Sequence, residues 1–230
     1  MVYGYFRTLF VESCPACGGP SGGGFCGVCS AEFARVPSPC RRCGLARPVT
    51  RCPRTHVPWQ IDAVLAPFTY WPLLDHYAHA LKYRGRRTLG RAFALLLVPD
   101  VGALYRDVDA LVAVPLHRTR LYERGYNQAH EIARTLGREL TLPTLGRGVA
   151  RRAAATAQTG QGARQRRTGV ATAFRVDRDL TGRRIAIVDD VVTTGATVNA
   201  LAAALRGAGA ARCVVFAVAR TGEPGQPRNA

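Results

Sequence analysis

The chain has 230 residues and a formal net charge of +17 at pH 7, carried almost entirely by arginine because Lys82 is its only lysine. This length suffices for one well-buried domain and a small accessory module, and it excludes two large domains. The apolar run from Ala92 to Val98 ends at Pro99 and is too short to span a bilayer, and no secretory signal pattern is visible. We therefore expect a soluble, cytoplasmic protein without membrane insertion.

The positive charge favours a polyanionic partner, because clustered arginines attract phosphate backbones. The chain is also rich in alanine and glycine, however, so part of the charge reflects a general bias in residue usage. The distribution is more informative, since six arginines and no acid lie between Arg147 and Arg167. That segment contains no aromatic residue, which argues against base stacking with single-stranded DNA.

Seven of the eight cysteines lie before residue 53, in a glycine- and proline-rich stretch that is too poor in large apolar residues to form a core. The spacing predicts two structural tetrahedral zinc sites, which would supply the missing folding energy. The first comprises Cys14, Cys17, Cys26 and Cys29, and the second comprises Cys40, Cys43, Cys52 and His56. For His56 a simple surface position is the alternative.

From Ile61 onward, apolar strands alternate with amphipathic helices, so we place a boundary near residue 60. The predicted units are a zinc module over 1–60, a domain over 61–221 and a flexible tail over 222–230. The predicted strands cover 63–70, 110–114, 184–188 and 213–218, and the predicted helices cover 73–81, 87–97, 197–205 and a segment capped by Asn127. This alternation predicts an α/β fold with a mainly parallel sheet and helices on both faces.

The segment from Ile185 to Thr197 has the pattern of a phosphate site. An apolar strand runs into Asp189 and Asp190, and ligands of parallel α/β sheets collect at the carboxyl ends of strands. The threonine- and glycine-rich turn that follows offers backbone N–H groups, hydroxyls and a helix N-terminus to a phosphate. Because the two carboxylates can accept hydrogen bonds from vicinal hydroxyls, the predicted ligand is a sugar phosphate. The alternative is an ordinary strand end with two acids.

This segment resembles the signature of type I phosphoribosyltransferases, which bind 5-phosphoribosyl-1-pyrophosphate (PRPP). A longer pattern is similar to the ComF family of competence proteins, which also begin with a double zinc ribbon. It comprises Leu81-Lys-Tyr-Arg-Gly85, Pro115-Leu-His117, Arg124-Gly-Tyr-Asn-Gln128, Gln158, Arg166-Arg167, Ala173-Phe174 and Val188-Asp-Asp190. The chain departs from that family where a fourth Cys-x2-Cys is expected, because it has Cys52-Pro-Arg-Thr-His56 instead.

The resemblance implies roles for individual residues. Asp189 and Asp190 would contact the ribose hydroxyls. The 5′-phosphate would lie in the turn formed by Val191, Val192, Thr193, Thr194, Gly195, Ala196 and Thr197. Pyrophosphate and its Mg²⁺ would face Val114, Pro115, Leu116 and His117, with further contacts from Arg124, Asn127 and Gln128. A mobile loop over the ligand would contain Gln158, Arg164, Arg166 and Arg167, for which a solvated basic loop is the alternative.

Two functional hypotheses remain open at this stage. The first is an enzyme that transfers phosphoribosyl from PRPP to an unidentified acceptor, with Mg²⁺ and arginines stabilising the departing pyrophosphate. No segment of the sequence plainly recognises an acceptor such as a nucleobase. The second is a non-catalytic PRPP-binding regulator or adaptor that handles single-stranded DNA or contacts proteins of the DNA-uptake machinery. Fold membership alone does not distinguish them.

Overall fold

The computed structural model describes residues 12–46, 52, 58–104, 107–152 and 173–222. Its helices are α1 (Gly27–Ala31), α2 (Pro72–Tyr83), α3 (Thr88–Leu104), α4 (Arg118–Arg124), α5 (Gln128–Glu139) and α6 (Ala196–Gly207). Its strands are β1 (Ala63–Leu65), β2 (Phe68–Thr69), β3 (Ala110–Ala113), β4 (Val149–Arg151), β5 (Phe174–Val176), β6 (Arg184–Val192) and β7 (Arg212–Arg220). Among these residues, no helix has the length and apolar character needed to cross a membrane.

The main sheet has five strands, and all of its pairings are parallel. Its order is β1-β7-β6-β3, and β2 pairs with the carboxyl end of β7. The remaining strands, β4 and β5, form a separate antiparallel pair. The predicted mainly parallel α/β sheet is therefore confirmed.

Helices cover both faces of this sheet, and two apolar clusters fill the space between the layers. On one face α2, α3 and α5 pack against side chains that include Leu111, Val188 and Phe216. On the other face α6 packs against side chains that include Val112 and Ile187. The central strands are apolar on both sides because both faces are buried.

Helix α3 and strand β6 are longer than their sequence patterns predict. The helix predicted over 87–97 was expected to end before Pro99, yet α3 continues through this proline to Leu104. Leu97 and Val101 are both buried on the core side, and this burial offsets the roughly 3 kcal/mol cost of an interior proline. The strand was expected to end at Val188, but it stays paired with β7 as far as Val192.

Candidate functional site

Two carboxylates occupy consecutive positions near the carboxyl end of β6. Successive strand side chains point to opposite faces, so Asp190 lies on the face of α2 and α5 while Asp189 lies on the other. Asp190 is only 4% exposed, and Asp189 is half-buried. Burial and the neighbouring negative charge of Asp190 raise the pKa of Asp189 well above its ordinary value. A cation or a hydroxyl donor that reached this pair would stabilise its charged form.

The buried carboxylate of Asp190 is held by side chains from two helices. Lys82, in the last turn of α2, places its ammonium nitrogen 2.5 Å from Asp190 Oδ2. Gln128, the first residue of α5, donates from Nε2 to Asp190 Oδ1 at 3.3 Å. Gln128 in turn accepts a hydrogen bond from Arg124 Nη1 at 2.5 Å. The result is a polar chain from Arg124 to Lys82, and it compensates a charge that burial alone would make costly.

Lys82 is a site residue to which the sequence patterns assigned no role. The signal that could have identified it is that it is a lysine. Histidines aside, every other basic side chain of the sequence is an arginine. An ammonium is a compact charge on a flexible stem, whereas a guanidinium needs a wider set of acceptors. The side chain of Lys82 is 21% exposed, so its ammonium group binds the buried carboxylate and is also accessible to a ligand in the site.

The turn after β6 has the form expected of a phosphate cradle. The side chains of Thr193, Thr194 and Thr197 are exposed, and Gly195 has φ +79° as the N-cap of α6. A Cβ at Gly195 would lie 2.5 Å from Cη2 of Trp59, so both backbone conformation and space require glycine here. The turn therefore presents three hydroxyls beside the positive end of a helix of 12 residues.

Three other residues were predicted to belong to this turn. Val192 packs into the core, whereas Val191 and Ala196 lie at the two ends of the turn. Val192 is buried in the apolar cluster beneath α6. Val191 is half-buried against the opposite cluster, and Ala196 is exposed as the first residue of α6. The N–H of Ala196 donates to Thr194 Oγ1 at 3.3 Å, which orients that hydroxyl. These positions contribute backbone groups to the turn rather than polar side chains.

The loop after β3 lies directly beside the carboxylate pair. The N–H of Val114 donates to the carbonyl of Val188 at 2.9 Å, one residue before Asp189. Asn127 Nδ2 donates to the carbonyl of Val114 at 2.9 Å, and its Oδ1 caps α5 by accepting from the N–H groups of Ala129 and His130. The predicted cap is thus confirmed. The amide of Asn127 holds this loop against α5.

The rest of the predicted pyrophosphate loop leads into α4. Pro115 and Leu116 are half-buried, and the side chain of His117 caps α4 by accepting from the N–H of Thr119. A cleft of about 330 Å³ opens next to the loop. Its lining includes Ala113, Pro115, Tyr126, Asn127, His130 and Glu131. Glu131 is buried and pairs with Arg87 at 2.5 Å and with Arg134 at 2.8 Å, so the cleft has both polar and apolar walls.

The four cysteines predicted for the first zinc site come together in the structure. The sulfurs of Cys14, Cys17, Cys26 and Cys29 all lie within 4.8 Å of one another. The sulfurs of Cys17 and Cys26 are 3.7 Å apart, close to the roughly 3.8 Å that a tetrahedral zinc with four thiolates requires. Burial opposes ionisation of Cys14, but backbone N–H groups, led by that of Cys26, lower its pKa to about 6. This cluster can therefore hold a zinc ion.

The second cluster contains the three remaining cysteines of this region. The sulfurs of Cys40, Cys43 and Cys52 also lie within 4.8 Å of one another, and Cys40 and Cys43 are buried. Burial opposes ionisation of Cys40 as well, yet backbone N–H groups from Cys43 and Arg42 lower its pKa. Three thiolates with this spacing can bind a metal ion. The predicted fourth ligand, His56, lies outside the described residues, as do Gln158, Arg164, Arg166 and Arg167 of the predicted mobile loop.

The chain is similar to a known domain family and to several named bacterial proteins. Residues 123–228 match the family model described as a phosphoribosyl transferase domain. The DNA utilization protein YhgH of Escherichia coli K12 is 35% identical over 208 residues, which cover 86% of this chain and 91% of YhgH. Competence protein F of Haemophilus influenzae is 30% identical over 86% of this chain and 90% of its own length.

A third relative is more distant. Competence protein ComFC of Streptococcus pneumoniae is 27% identical over 85% of this chain and 87% of its own length. The resemblance therefore extends across the phosphoribosyltransferase-like sheet and well beyond the residues that the family model matches. Because two of these relatives reach 30% identity and align over at least 90% of their lengths, the chain belongs to the ComF family.

Proposed function

We propose that the protein binds PRPP at the carboxyl edge of its sheet and serves DNA uptake or DNA utilisation. The names of its relatives, a DNA utilization protein and two competence proteins, support this role. One observation carries the ligand assignment. The paired carboxylates of β6 run directly into an exposed threonine turn at a helix N-terminus, and the loop after β3 lies next to them. The carboxylates suit sugar hydroxyls, the threonine turn suits a 5′-phosphate, and the loop after β3 suits a pyrophosphate.

In this proposal Asp189 and Asp190 accept hydrogen bonds from the ribose hydroxyls. The N–H groups and hydroxyls between Thr193 and Thr197 hold the 5′-phosphate, and Val114 to His117 face the pyrophosphate. Mg²⁺ would bind mainly to ligand phosphate oxygens and water, because it dehydrates reluctantly and needs few protein ligands. Arg124 supports the site through Gln128, to which it is hydrogen-bonded.

Lys82 has an electrostatic role in this proposal. Its ammonium group compensates the buried charge of Asp190. Since part of the Lys82 side chain is exposed, the same ammonium also attracts the phosphates of the ligand. An arginine in its place would keep the positive charge, but its wider guanidinium group would not reproduce the single contact of the ammonium nitrogen with Asp190 Oδ2.

Direct binding measurements test the ligand assignment. Calorimetric titration with PRPP and Mg²⁺ should give saturable binding, and ribose 5-phosphate should bind more weakly because it lacks the pyrophosphate. The double variant Asp189→Ala/Asp190→Ala should bind neither PRPP nor ribose 5-phosphate. Equal affinity of that variant and the wild type for PRPP would exclude the carboxylate pair as the ribose site.

A catalytic function has one structural observation in its favour. The cleft of about 330 Å³ beside the loop after β3 has room for an acceptor, and its lining contains both charged and apolar groups. The test is whether the purified protein consumes PRPP, first alone and then with a panel of bases, amines and oligonucleotides. Consumption that depends on one acceptor class would establish a transferase. Binding without consumption under every condition would favour the regulator or adaptor.

The arginine-rich segment distinguishes ligand binding from DNA binding. On the family resemblance we expect the triple variant Arg164→Ala/Arg166→Ala/Arg167→Ala to weaken PRPP or pyrophosphate binding and to leave oligonucleotide affinity nearly unchanged. If these arginines contact DNA instead, the salt dependence of oligonucleotide binding should become shallower by about one unit for each lost phosphate contact. A large loss of DNA affinity with intact PRPP binding would contradict our expectation.

A further inference from the structure

The second cysteine cluster is connected to the phosphate turn through the backbone carbonyls of its first knuckle, residues 40–44. Within this knuckle the N–H groups of Cys43 and Gly44 both donate to the carbonyl of Cys40. The next three carbonyls face outward and accept hydrogen bonds from the rest of the protein. These pairs are Arg41 O with Val64 N at 2.7 Å, Arg42 O with Trp59 Nε1 at 3.1 Å and Cys43 O with Arg220 Nε at 3.0 Å.

Arg220, the last residue of β7, contacts the knuckle and the phosphate turn with a single guanidinium group. Its Nε donates to the carbonyl of Cys43, and its Nη1 donates to the carbonyls of Val192, at 2.9 Å, and of Thr193. Nη1 also lies 3.1 Å from the carbonyl of Thr221. Arg220 is only 3% exposed, so its charge depends on these acceptors rather than on water.

These contacts fix the direction of backbone N–H groups in the turn. In a trans peptide the C=O and the following N–H point in opposite directions, and no cis peptide occurs among the described residues. When Arg220 holds the carbonyls of Val192 and Thr193, the N–H groups of Thr193 and Thr194 must point away from it. Those two N–H groups belong to the proposed phosphate cradle. The carbonyl of Val192 also accepts from the N–H of Thr221 at 3.1 Å, so Arg220 matters most for the N–H of Thr194.

Trp59 provides a second connection between the same two parts of the molecule. Its indole N–H donates to the carbonyl of Arg42, which lies between Cys40 and Cys43. Its ring packs so closely against Gly195 that no side chain would fit there. A displacement of the knuckle would therefore reach both the carbonyls at the start of the turn and the N-cap of α6.

The first cysteine cluster is attached elsewhere and offers a natural control. Next to it, Phe25 packs against Tyr77 of α2 with ring centroids 5.2 Å apart, and against Phe93 of α3 at 5.9 Å. The carbonyl of Pro15 accepts from Arg86 at 3.3 Å. These contacts attach the first cluster to α2, α3 and the turn between them, on the opposite side of the sheet from α6, rather than to the phosphate turn.

We propose that Arg220 is a positioning residue through which the metal state of the second cysteine cluster sets the geometry, and hence the anion affinity, of the phosphate turn. A bound metal holds the thiolates of Cys40 and Cys43 and thereby the carbonyls between Cys40 and Gly44. Without it the knuckle relaxes, the guanidinium loses an acceptor, and the N–H of Thr194 loses its fixed direction. The ligand part of this inference rests on the proposed function.

Hydrogen exchange of the full-length zinc-loaded protein tests the structural part without any ligand. We expect Cys40→Ser to speed exchange of amides in residues 192–197 about tenfold, within the roughly 5- to 150-fold range typical of energetic coupling between sites. The matched variant Cys26→Ser, which weakens the first cluster, should change that exchange by less than about threefold. In Arg220→Lys the turn should exchange fast even with zinc bound, because one ammonium cannot contact both the knuckle and the turn.

A second measurement uses reciprocity and leaves every cysteine intact. Because coupling acts in both directions at equilibrium, Arg220→Lys should raise about tenfold the equilibrium constant for zinc release from the second cluster to a competing chelator, and leave that for the first cluster unchanged. Unchanged zinc release together with unchanged exchange of the turn in Arg220→Lys would overturn the proposal, as would equal effects of Cys40→Ser and Cys26→Ser on the turn. If PRPP fails to bind the wild type, the proposed function is wrong, while exchange and zinc release still decide the coupling.

Discussion

Lys82 and Asp190 form an ion pair of 2.5 Å between the last turn of α2 and the end of β6, although 107 residues separate them in the chain. The carboxylate is nearly inaccessible and the ammonium is partly exposed. This pair therefore connects the helical layer to the carboxyl edge of the sheet, where the ligand is proposed to bind. Its contribution to stability and its contribution to binding can be measured separately.

Replacing Lys82 with methionine should lower the free energy of unfolding by about 1–3 kcal/mol, because the buried carboxylate of Asp190 loses its charged partner. Chemical denaturation measures this loss. The double variant Lys82→Met/Asp190→Asn should regain most of it, since neither charge then remains. Additive losses in the double variant would indicate that the two side chains stabilise the fold independently.

Asp189→Asn should stabilise the ligand-free protein and abolish its response to PRPP. Burial and the charge of Asp190 raise the pKa of Asp189, so the folded protein holds this proton more tightly than the unfolded chain does. The ionised side chain therefore destabilises the fold increasingly as pH rises above the ordinary aspartate pKa. Melting temperatures of the variant should exceed those of the wild type by an amount that grows with pH, at roughly 2–4 °C per kcal/mol.

Asp177→Asn is the matched control for that measurement, because it removes one acid from an exposed position whose side chain is 49% accessible. It should alter neither the melting temperature nor the increase that PRPP and Mg²⁺ produce in the wild type. A ligand-induced increase that survived in Asp189→Asn would argue against a contact between this carboxylate and the ribose.

The purified protein should contain about two zinc ions per chain, with the first site the tighter one. Elemental analysis of the wild type and of His56→Ala measures this stoichiometry. If His56 is the fourth ligand of the second site, the variant should retain close to one zinc. One zinc in both proteins would remove His56 from the ligands and leave the cluster of Cys40, Cys43 and Cys52 unexplained.

The ion pair of Asp109 with Arg184 should protect the fold against acid. Hydrogen bonds from the guanidinium and the N–H of Arg184 lower the pKa of Asp109 to about 2. Because the folded pKa lies below the ordinary value of 3.8, this stabilisation is complete above pH 3.8 and is lost as pH falls towards 2. Asp109→Asn should therefore show a weaker pH dependence of unfolding in that window, and Arg184→Gln should show the same weakening if the guanidinium is the cause.

Local patterns in the sequence were sufficient to predict the main features of the fold and of the phosphate turn. Alternating apolar strands and amphipathic helices predicted the parallel sheet, and Asn127 was identified as a cap because capping depends only on the next few residues. The strand with Asp189 and Asp190, the threonines and Gly195 are adjacent in the chain. Their arrangement follows from backbone geometry over a dozen residues.

Tertiary packing decided the features that depend on distant parts of the chain. Pro99 lies inside α3 because burial of its neighbours outweighs a local preference to end the helix. Lys82 meets Asp190 only once α2 packs on the sheet, and Arg220 meets Cys43 only because the cysteine knuckle docks beside the end of β7. A basic residue in a sequence has many possible partners, and its burial, which makes one partner obligatory, exists only in the folded chain.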